Sequence, residues 1–127
     1  MPAPAALSRL ALLAAALLPA PVAAAPRPVV VELFTSQSCS SCPPAEALLG
    51  ELAGEGGDLL PLAFHVTYWD RLGWHDPYGL AAATSRQAAY GSRFGDGSYT
   101  PEMVVDGETA LVGSARGEAE EIGRAHV

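Results

Sequence analysis

The chain has 127 residues, with seven Arg or Lys against fourteen Asp or Glu, and a formal net charge of −7. This length suits one small domain with a modest core. The acidic charge, without any Lys cluster, argues against nucleic acids and anionic membranes as partners. The chain contains only two cysteines, Cys39 and Cys42, which form a C-x-x-C motif. We expect no bound cofactor.

The first 25 residues have the pattern of a secretory signal peptide. Arg9 provides a positive charge, residues 10–18 form an uncharged Leu/Ala run, and small residues at 22–25 suit a signal peptidase. The apolar run is too short to span a membrane. We therefore expect residues 1–25 to be removed, leaving an exported protein, periplasmic or secreted, with no integral membrane span. In such an oxidising compartment a cysteine pair can persist as a disulfide.

The C-terminal residues differ in character from the rest of the chain. Lys and Asn are absent, and the only Ile is Ile122. Because these three residues have AT-rich codons, their scarcity indicates a GC-rich coding sequence. Residues 121–127 (EIGRAHV) also match what a common sequencing adapter would encode, so we interpret them as a non-native tail. The folded domain is then expected at residues 26–120 and is incomplete at its C-terminal end.

Hydrophobic patterning predicts that the domain begins with a strand, a helix and a second strand. Residues 29–36 form a β-branched, apolar run that is typical of a buried strand. After Pro43 and Pro44, helical spacing places one apolar stripe against a sheet; its members are Ala45, Leu48, Leu49 and Leu52. Residues 59–69 are apolar on both faces, which predicts a central and parallel strand.

The second half of the domain is predicted to contain a helix, a hairpin and a last helix. Asp76 and Pro77 suit the N-cap and first position of the second helix. Two apolar runs flank Asp106-Gly107, which predicts a β-hairpin, and residues 114–120 begin the last helix. The resulting α/β order, β-α-β-α-β-β-α, is the thioredoxin arrangement. In that fold a redox pair follows the first strand and a cis-proline before the third strand faces it, the place that Pro101 occupies here.

The C-x-x-C motif at the predicted strand-to-helix turn suits thiol–disulfide exchange. Exchange needs one sulfur that is available as a thiolate and a second that resolves the mixed disulfide. Because Pro43 disfavours a helical backbone at the residue before it, Cys42 is predicted to be the N-cap and Pro43 the first helical residue. Cys39 then lies outside the helix, on the exposed side and near its positive end. We therefore expect Cys39 to be the nucleophile and Cys42 its resolving partner.

Several polar and aromatic side chains have two interpretations each. Glu32, a charge inside an apolar strand, is either a buried acid that moves protons for the cysteine pair or a carboxylate paired with an Arg. The serines of the motif either donate hydrogen bonds to a thiolate or serve as turn residues; they are Ser38, Ser40 and Ser41. The aromatic residues after the second strand either form a substrate-binding rim or pack the loop; they are Tyr68, Trp69, Trp74 and Tyr78.

Two histidines leave a metal site open as an alternative. His65 lies on one face of the second strand, where a hydrogen-bonded core histidine is the ordinary state, and His75 lies in a loop. Together with Cys39 and Cys42 they have the residue types of a copper or zinc site, although their spacing lacks the regularity of a zinc finger. A copper- or metal-handling protein is therefore one alternative function. A non-catalytic binding module with a structural disulfide is another.

Three segments in order carry a family resemblance: residues 30–52, 64–78 and 99–108. They resemble the exported bacterial proteins known as domain of unknown function 1223, a thioredoxin-like group, and the likeness extends over residues 29–117. The resemblance implies a thioredoxin-like fold and an exported location, but it supplies no activity. The chain departs from the family at Ser38, Thr67 and His75, where glycine, aspartate and lysine are common. The departure at His75 weakens the metal alternative.

The sequence therefore predicts a protein that exchanges disulfides with a thiol or disulfide of another protein. Cys39 and Cys42 carry the reaction, with Pro101 beside them and Glu32 as a further candidate. The direction of exchange depends on the relative stability of the two redox states, which the Ser-Ser pair between the cysteines does not fix.

Overall fold

The computed structural model describes residues 1–2, 20–21 and 27–125. Most of the predicted signal segment, residues 1–25, lies outside the described residues, as do the last two residues of the predicted tail, 121–127. The interpretations of both ends stay predictions. Within the described parts of the chain, no helix is long and apolar enough to cross a membrane.

Residues 27–125 form a four-stranded mixed sheet with three α-helices. The elements are β1 (Val29–Thr35), α1 (Pro43–Glu55), β2 (Leu59–His65), α2 (Ala81–Phe94), β3 (Glu102–Val105), β4 (Thr109–Val112) and α3 (Arg116–Ala125). A short 3-10 turn at Asp70–Leu72 precedes α2. The strands lie in the order β2-β1-β3-β4, with β1 and β2 parallel and the other two pairs antiparallel. The order of helices and strands is the predicted one.

Two clusters of apolar side chains form the core, one on each face of the sheet. Since side chains alternate along a strand, Leu33 of β1 points to one face and Phe34 to the other. The Leu33 cluster includes α1 and α3, and it buries the predicted stripe of α1: Ala45, Leu48, Leu49 and Leu52. The Phe34 cluster includes Val104 together with aromatic residues of α2 and of the segment after β2. α1 and α2 therefore cover opposite faces.

The prediction that β2 is central was wrong. It is parallel to β1, as expected, but lies at the edge of the sheet, and Leu60 and Leu62 are 42% and 36% exposed. An apolar run gives the composition of a strand but not the number of strands that pair with it. The pattern therefore cannot distinguish a central strand from an edge strand. β2 also ends at His65 rather than at residue 69, because the backbone N–H of Thr67 donates to the Thr84 hydroxyl of α2.

The predicted start of α2 at Asp76-Pro77 was also wrong. The helix begins at Ala81, with Leu80 as its N-cap. The Asp76 carboxylate instead accepts hydrogen bonds from the backbone N–H groups of Gln37 and Tyr78. An Asp that caps a helix and an Asp that holds a turn have the same sequence signature, because both use a carboxylate next to a turning backbone.

Turn chemistry predicted the start of α1 and the β3–β4 hairpin correctly. Cys42 is the N-cap of α1, and Pro43 is its first residue, but the backbone of Cys42 is helical, with φ −79° and ψ −30°, so the expected effect of Pro43 on Cys42 was wrong. In the hairpin, Asp106 and Gly107 have φ angles of 52° and 66°, in the left-handed region that a tight turn requires. The Asp106 carboxylate also accepts a hydrogen bond from the backbone N–H of Val30 at 2.9 Å. This bond attaches the hairpin to the start of β1.

Gly91 of α2 allows a close approach of the chain segment that follows the helix. A Cβ atom at this position would lie 2.4 Å from the Gly97 carbonyl oxygen, a contact that backbone atoms cannot relieve without moving. We expect Gly91→Ala to lower the free energy of unfolding by about 1–3 kcal/mol, although alanine is the better helix former. Urea denaturation measures the change.

The matched control for this prediction is Gly54→Ala. Gly54 lies in α1, and a methyl group added at this position would have no atom within 4 Å, so the same substitution should stabilise the protein by up to about 1 kcal/mol. If both substitutions changed the free energy of unfolding in the same direction, the close contact between Gly91 and Gly97 would not be the cause of the effect at Gly91.

Candidate functional site

Cys39 and Cys42 form a disulfide at the turn between β1 and α1. Their Sγ atoms lie 2.12 Å apart and their Cα atoms 5.4 Å apart. Two successive backbone hydrogen bonds hold the turn, from the Cys39 N–H to the Ser36 carbonyl at 3.1 Å and from the Cys42 N–H to the Cys39 carbonyl at 3.3 Å. The backbone between β1 and α1 therefore brings the two sulfurs within bonding distance.

The two sulfurs differ in accessibility. Cys42 is fully buried, whereas Cys39 keeps 7% of its surface exposed and lines a cavity of about 240 Å³. Cys39 is thus the more accessible cysteine, but the prediction that it lies on an exposed side was too strong. Trp69 and Leu72 line the same cavity. Both belong to the segment after β2, whose position relative to Cys39 the sequence pattern did not reveal.

The start of α1 offers few hydrogen-bond donors to a Cys39 thiolate. Pro43 and Pro44 have no N–H group, and the next two N–H groups, of Ala45 and Glu46, donate to the Cys42 carbonyl at 2.9 and 3.1 Å. Of the serines, Ser41 has its Oγ 3.6 Å from Cys39 Sγ. The Ser38 hydroxyl donates to the Trp74 carbonyl instead. The helix dipole and the Ser41 hydroxyl are therefore the local groups that favour a thiolate.

Pro101 follows a cis peptide bond with Thr100, directly before β3, as the fold analogy predicts. Thr100 lines the Cys39 cavity, and its hydroxyl accepts a hydrogen bond from Trp69 Nε1 at 2.7 Å. A Cβ atom at Gly113 would lie 3.1 Å from the Cβ atoms of both Ala45 and Pro101. Pro101 therefore packs near the first turn of α1.

Glu32 is a buried carboxylate paired with an Arg, which is one of its two predicted roles. It is 1% exposed and accepts hydrogen bonds from Arg86 Nε and from the Tyr90 hydroxyl, both at 2.5 Å. The hydrogen bond to Glu32 raises the pKa of Arg86, which keeps the guanidinium charged. Arg86 and Tyr90 belong to α2, which covers the sheet face opposite to α1. The proton-moving role stays a prediction.

Glu102 is a buried acid that sequence patterning did not single out. It is fully buried, and its Oε1 accepts a hydrogen bond from Gln87 Nε2 at 3.0 Å. Its Oε2 has no hydrogen-bonding partner among the described residues. Burial raises the pKa of Glu102 to about 7, with the Gln87 hydrogen bond opposing the shift and Asp96 adding to it. The only sequence signal was a charge directly after Pro101, at the start of an apolar strand.

The residues of the alternative metal site are not brought together. His65 Nδ1 lies 2.6 Å from an Asp76 oxygen, and His75 Nδ1 lies 2.8 Å from an Asp70 oxygen. In the described ranges, no three His, Cys, Asp or Glu side chains are grouped so that they could hold a metal ion. A site made from Cys39, Cys42 and the histidines would require the segments after β1 and β2 to rearrange.

The four aromatic residues after β2 divide into two pairs. The Tyr68 hydroxyl donates to Gln87 Oε1 and Trp69 Nε1 donates to Thr100, and both rings pack against the Phe34 cluster. Trp74 and Tyr78 remain 59% and 65% exposed. The packing role thus fits the first pair, and a rim exposed to a partner fits the second.

Comparisons with known proteins identify a family and a similar solved structure. Residues 30–126 match the family described as "Protein of unknown function (DUF1223)". An X-ray crystal structure of a protein from Agrobacterium tumefaciens matches with a TM-score of 0.73 and 38% sequence identity, covering 80% of this chain and 46% of that one. This chain therefore spans less than half the length of that protein. Among curated proteins, none matches this chain.

Proposed function

Because this chain belongs to DUF1223, a family whose function is unknown, we propose its function from the site itself: thiol–disulfide exchange through Cys39 and Cys42 in a thioredoxin-like fold. The observation that carries the proposal is the asymmetric disulfide between β1 and α1, with Cys39 open to a cavity and Cys42 fully buried. Exchange uses this asymmetry, since one sulfur must meet the substrate and the other must resolve the mixed disulfide.

The topology supports the thioredoxin-like part of the proposal. The strand order β2-β1-β3-β4, with β1 and β2 parallel and a hairpin at the far edge, is the order expected for that fold. The cysteine pair follows β1, and Pro101 precedes β3 and packs near the first turn of α1. These positions agree with those of a redox pair and its facing proline.

The reaction needs no group beyond the two cysteines. In the reducing direction, the Cys39 thiolate attacks one sulfur of a substrate disulfide; a mixed disulfide forms and the other substrate sulfur leaves as a thiolate. Cys42 then loses its proton and attacks Cys39 Sγ, which breaks the mixed disulfide and releases the second substrate thiolate. Both substrate thiolates take up protons, and two electrons have passed from the pair to the substrate. Oxidation of a substrate dithiol is the reverse sequence.

The proposed partner is a thiol or disulfide of another protein, met outside the cytoplasm. The signal-peptide pattern of residues 1–25 supports an exported location. Disulfides form and persist in such a compartment. Substrates with disulfides are therefore available there for the proposed exchange.

Equilibration of the protein with glutathione buffers, together with an insulin-reduction assay, tests this proposal. We expect reversible reduction at a potential between about −270 and about −120 mV, the range of thiol–disulfide oxidoreductases, and acceleration of exchange in at least one direction. Because Cys39 is only slightly exposed, one competing function is also favoured: a binding module whose disulfide is structural. A potential below about −300 mV, with no acceleration in either direction, would replace the proposal with that competitor.

A further inference from the structure

A second cavity, of about 420 Å³, lies between α1 and the ends of β1 and β2. Small-molecule sites have volumes of roughly 300–1,000 Å³, so this cavity has a suitable size. Its apolar wall includes Leu49, Pro61 and Ala63, and its polar end includes Thr35, Glu46 and His65. Thr35 and His65 are the last residues of two parallel strands. Open α/β sheets commonly bind ligands beyond the carboxyl ends of such strands.

A buried carboxylate fixes the His65 ring at the polar end of the cavity. Asp76 is fully buried, and its Oδ2 lies 2.6 Å from His65 Nδ1 and accepts the backbone N–H of Gln37 at 2.9 Å. Burial raises the pKa of Asp76, but hydrogen bonds from His65, Gln37 and Tyr78 together lower it below its ordinary value. An ionised carboxylate only accepts hydrogen bonds, so Nδ1 carries the proton. In the neutral form of the ring, Nε2 of His65 is then an acceptor.

Glu46 places a second acceptor beside His65. The β1–β2 register pairs Thr35 with His65, so their side chains lie next to each other on the face that α1 covers. The Thr35 hydroxyl donates to Glu46 Oε1 at 2.7 Å. Within residues 27–125, neither Glu46 Oε2 nor His65 Nε2 has a hydrogen-bonding partner. The polar end thus offers two acceptors, one of them on an acid, and the residues that line the cavity include no Arg or Lys.

We propose that this cavity binds a primary amine that carries an apolar body. An ammonium group has three donors and no acceptor, which complements Glu46 Oε2 and His65 Nε2, while the hydrocarbon part contacts Leu49, Pro61 and Ala63. The net charge of −7 also favours a cation. A carboxylate ligand would meet Glu46 and, behind His65, Asp76. The cavity does not include Cys39 or Cys42, so amine binding is separate from the proposed exchange reaction.

Calorimetric titration of the oxidised full chain with 2-phenylethylamine tests the proposal. We expect saturable binding with a Kd below about 1 mM, and affinity for 2-phenylethanol that is at least about tenfold weaker. Glu46→Gln should weaken amine binding at least about tenfold, because it replaces the carboxylate with a neutral amide. The matched control is Glu51→Gln, which removes an equal charge from an exposed position on α1 outside the cavity and should leave the affinity unchanged.

Two outcomes of the calorimetric titrations would overturn this proposal. If Glu46→Gln and Glu51→Gln weakened amine binding equally, the binding would depend on net charge alone. If the amine and the alcohol bound with equal affinity, the site would not recognise the ammonium group. Backbone NMR of the unmodified chain gives a reading that does not depend on any variant folding. Shifts caused by the amine should be confined to the residues around Thr35, Glu46 and His65; shifts elsewhere, or none, would contradict the site.

Discussion

A Cys42→Ser variant should accumulate as a stable mixed disulfide with a substrate protein, whereas a Cys39→Ser variant should accumulate none. Cys39 lines the cavity and is the more accessible of the two cysteines, while Cys42 is fully buried, so we expect a partner to meet Cys39. Removing the resolving thiol stops the reaction after the first attack. Removing the attacking thiol stops it before any covalent bond forms. Non-reducing electrophoresis and mass spectrometry of each variant, incubated with a disulfide-containing protein, detect the adduct.

The two serine variants control for each other. Each loses the Cys39–Cys42 disulfide, so a loss of stability that comes from the missing bond is common to both. Catalysed insulin reduction should fall to the uncatalysed rate in both variants. An adduct that forms with Cys39→Ser rather than with Cys42→Ser would reverse the roles of the two cysteines. If both variants still catalysed insulin reduction at the original rate, Cys39 and Cys42 would not take part in the reaction.

Relative to the parent protein, a Glu102→Gln variant should gain about 3 kcal/mol of stability as the pH rises from about 4 to about 8. The pKa of buried Glu102 is about 7 in the folded protein, against an ordinary value of 4.5. Between these two values the unfolded chain releases its proton while the folded protein retains it, so the folded state loses stability as the pH rises. Above about pH 7 the buried carboxylate carries the full penalty, which glutamine avoids.

The Glu102 prediction is measured by urea denaturation of both proteins from about pH 4 to about pH 8, since the folded and unfolded states differ in the protonation of Glu102 mainly across this range. The side-chain oxygen of the introduced glutamine can accept the same hydrogen bond from Gln87, so the variant changes the charge more than the packing. Glu55→Gln, which removes an exposed carboxyl group at the end of α1, is the matched control. A stability difference that is constant over the whole range would contradict a titrating Glu102.

Local chemistry predicted most of the fold. The prolines after Cys42 specified where α1 begins, and Asp106-Gly107 specified the hairpin, because each of these features depends on neighbouring residues alone. The failures concern distant contacts. Whether β2 has one neighbour or two depends on which strands pair, and the partners of the Asp76 carboxylate lie on a different segment, around Gln37. Spacing along the chain contains little information on either.

The same distinction applies to the candidate site. Cys39, Cys42 and Pro101 could be selected from the sequence because a turn and a proline have recognisable local signatures. The Arg partner of Glu32 is Arg86, 54 positions away, so the sequence pattern could not identify this ion pair. Glu102 was missed because an acid at the start of an apolar strand normally lies at a surface, and its burial depends on how α2 covers β3.

The two prolines at the start of α1 also bear on the direction of electron flow. A strong oxidant of this class depends on stabilisation of its reduced form, above all of the attacking sulfur as an anion. Here Pro43 and Pro44 contribute no N–H group, and the next two N–H groups are already bonded to the Cys42 carbonyl. The reduced form therefore receives little help from the helix, and the balance shifts toward the closed disulfide. For the proposed exchange reaction, we expect a pair with this balance to give up electrons more readily than it accepts them, so that the start of the helix favours the reducing direction.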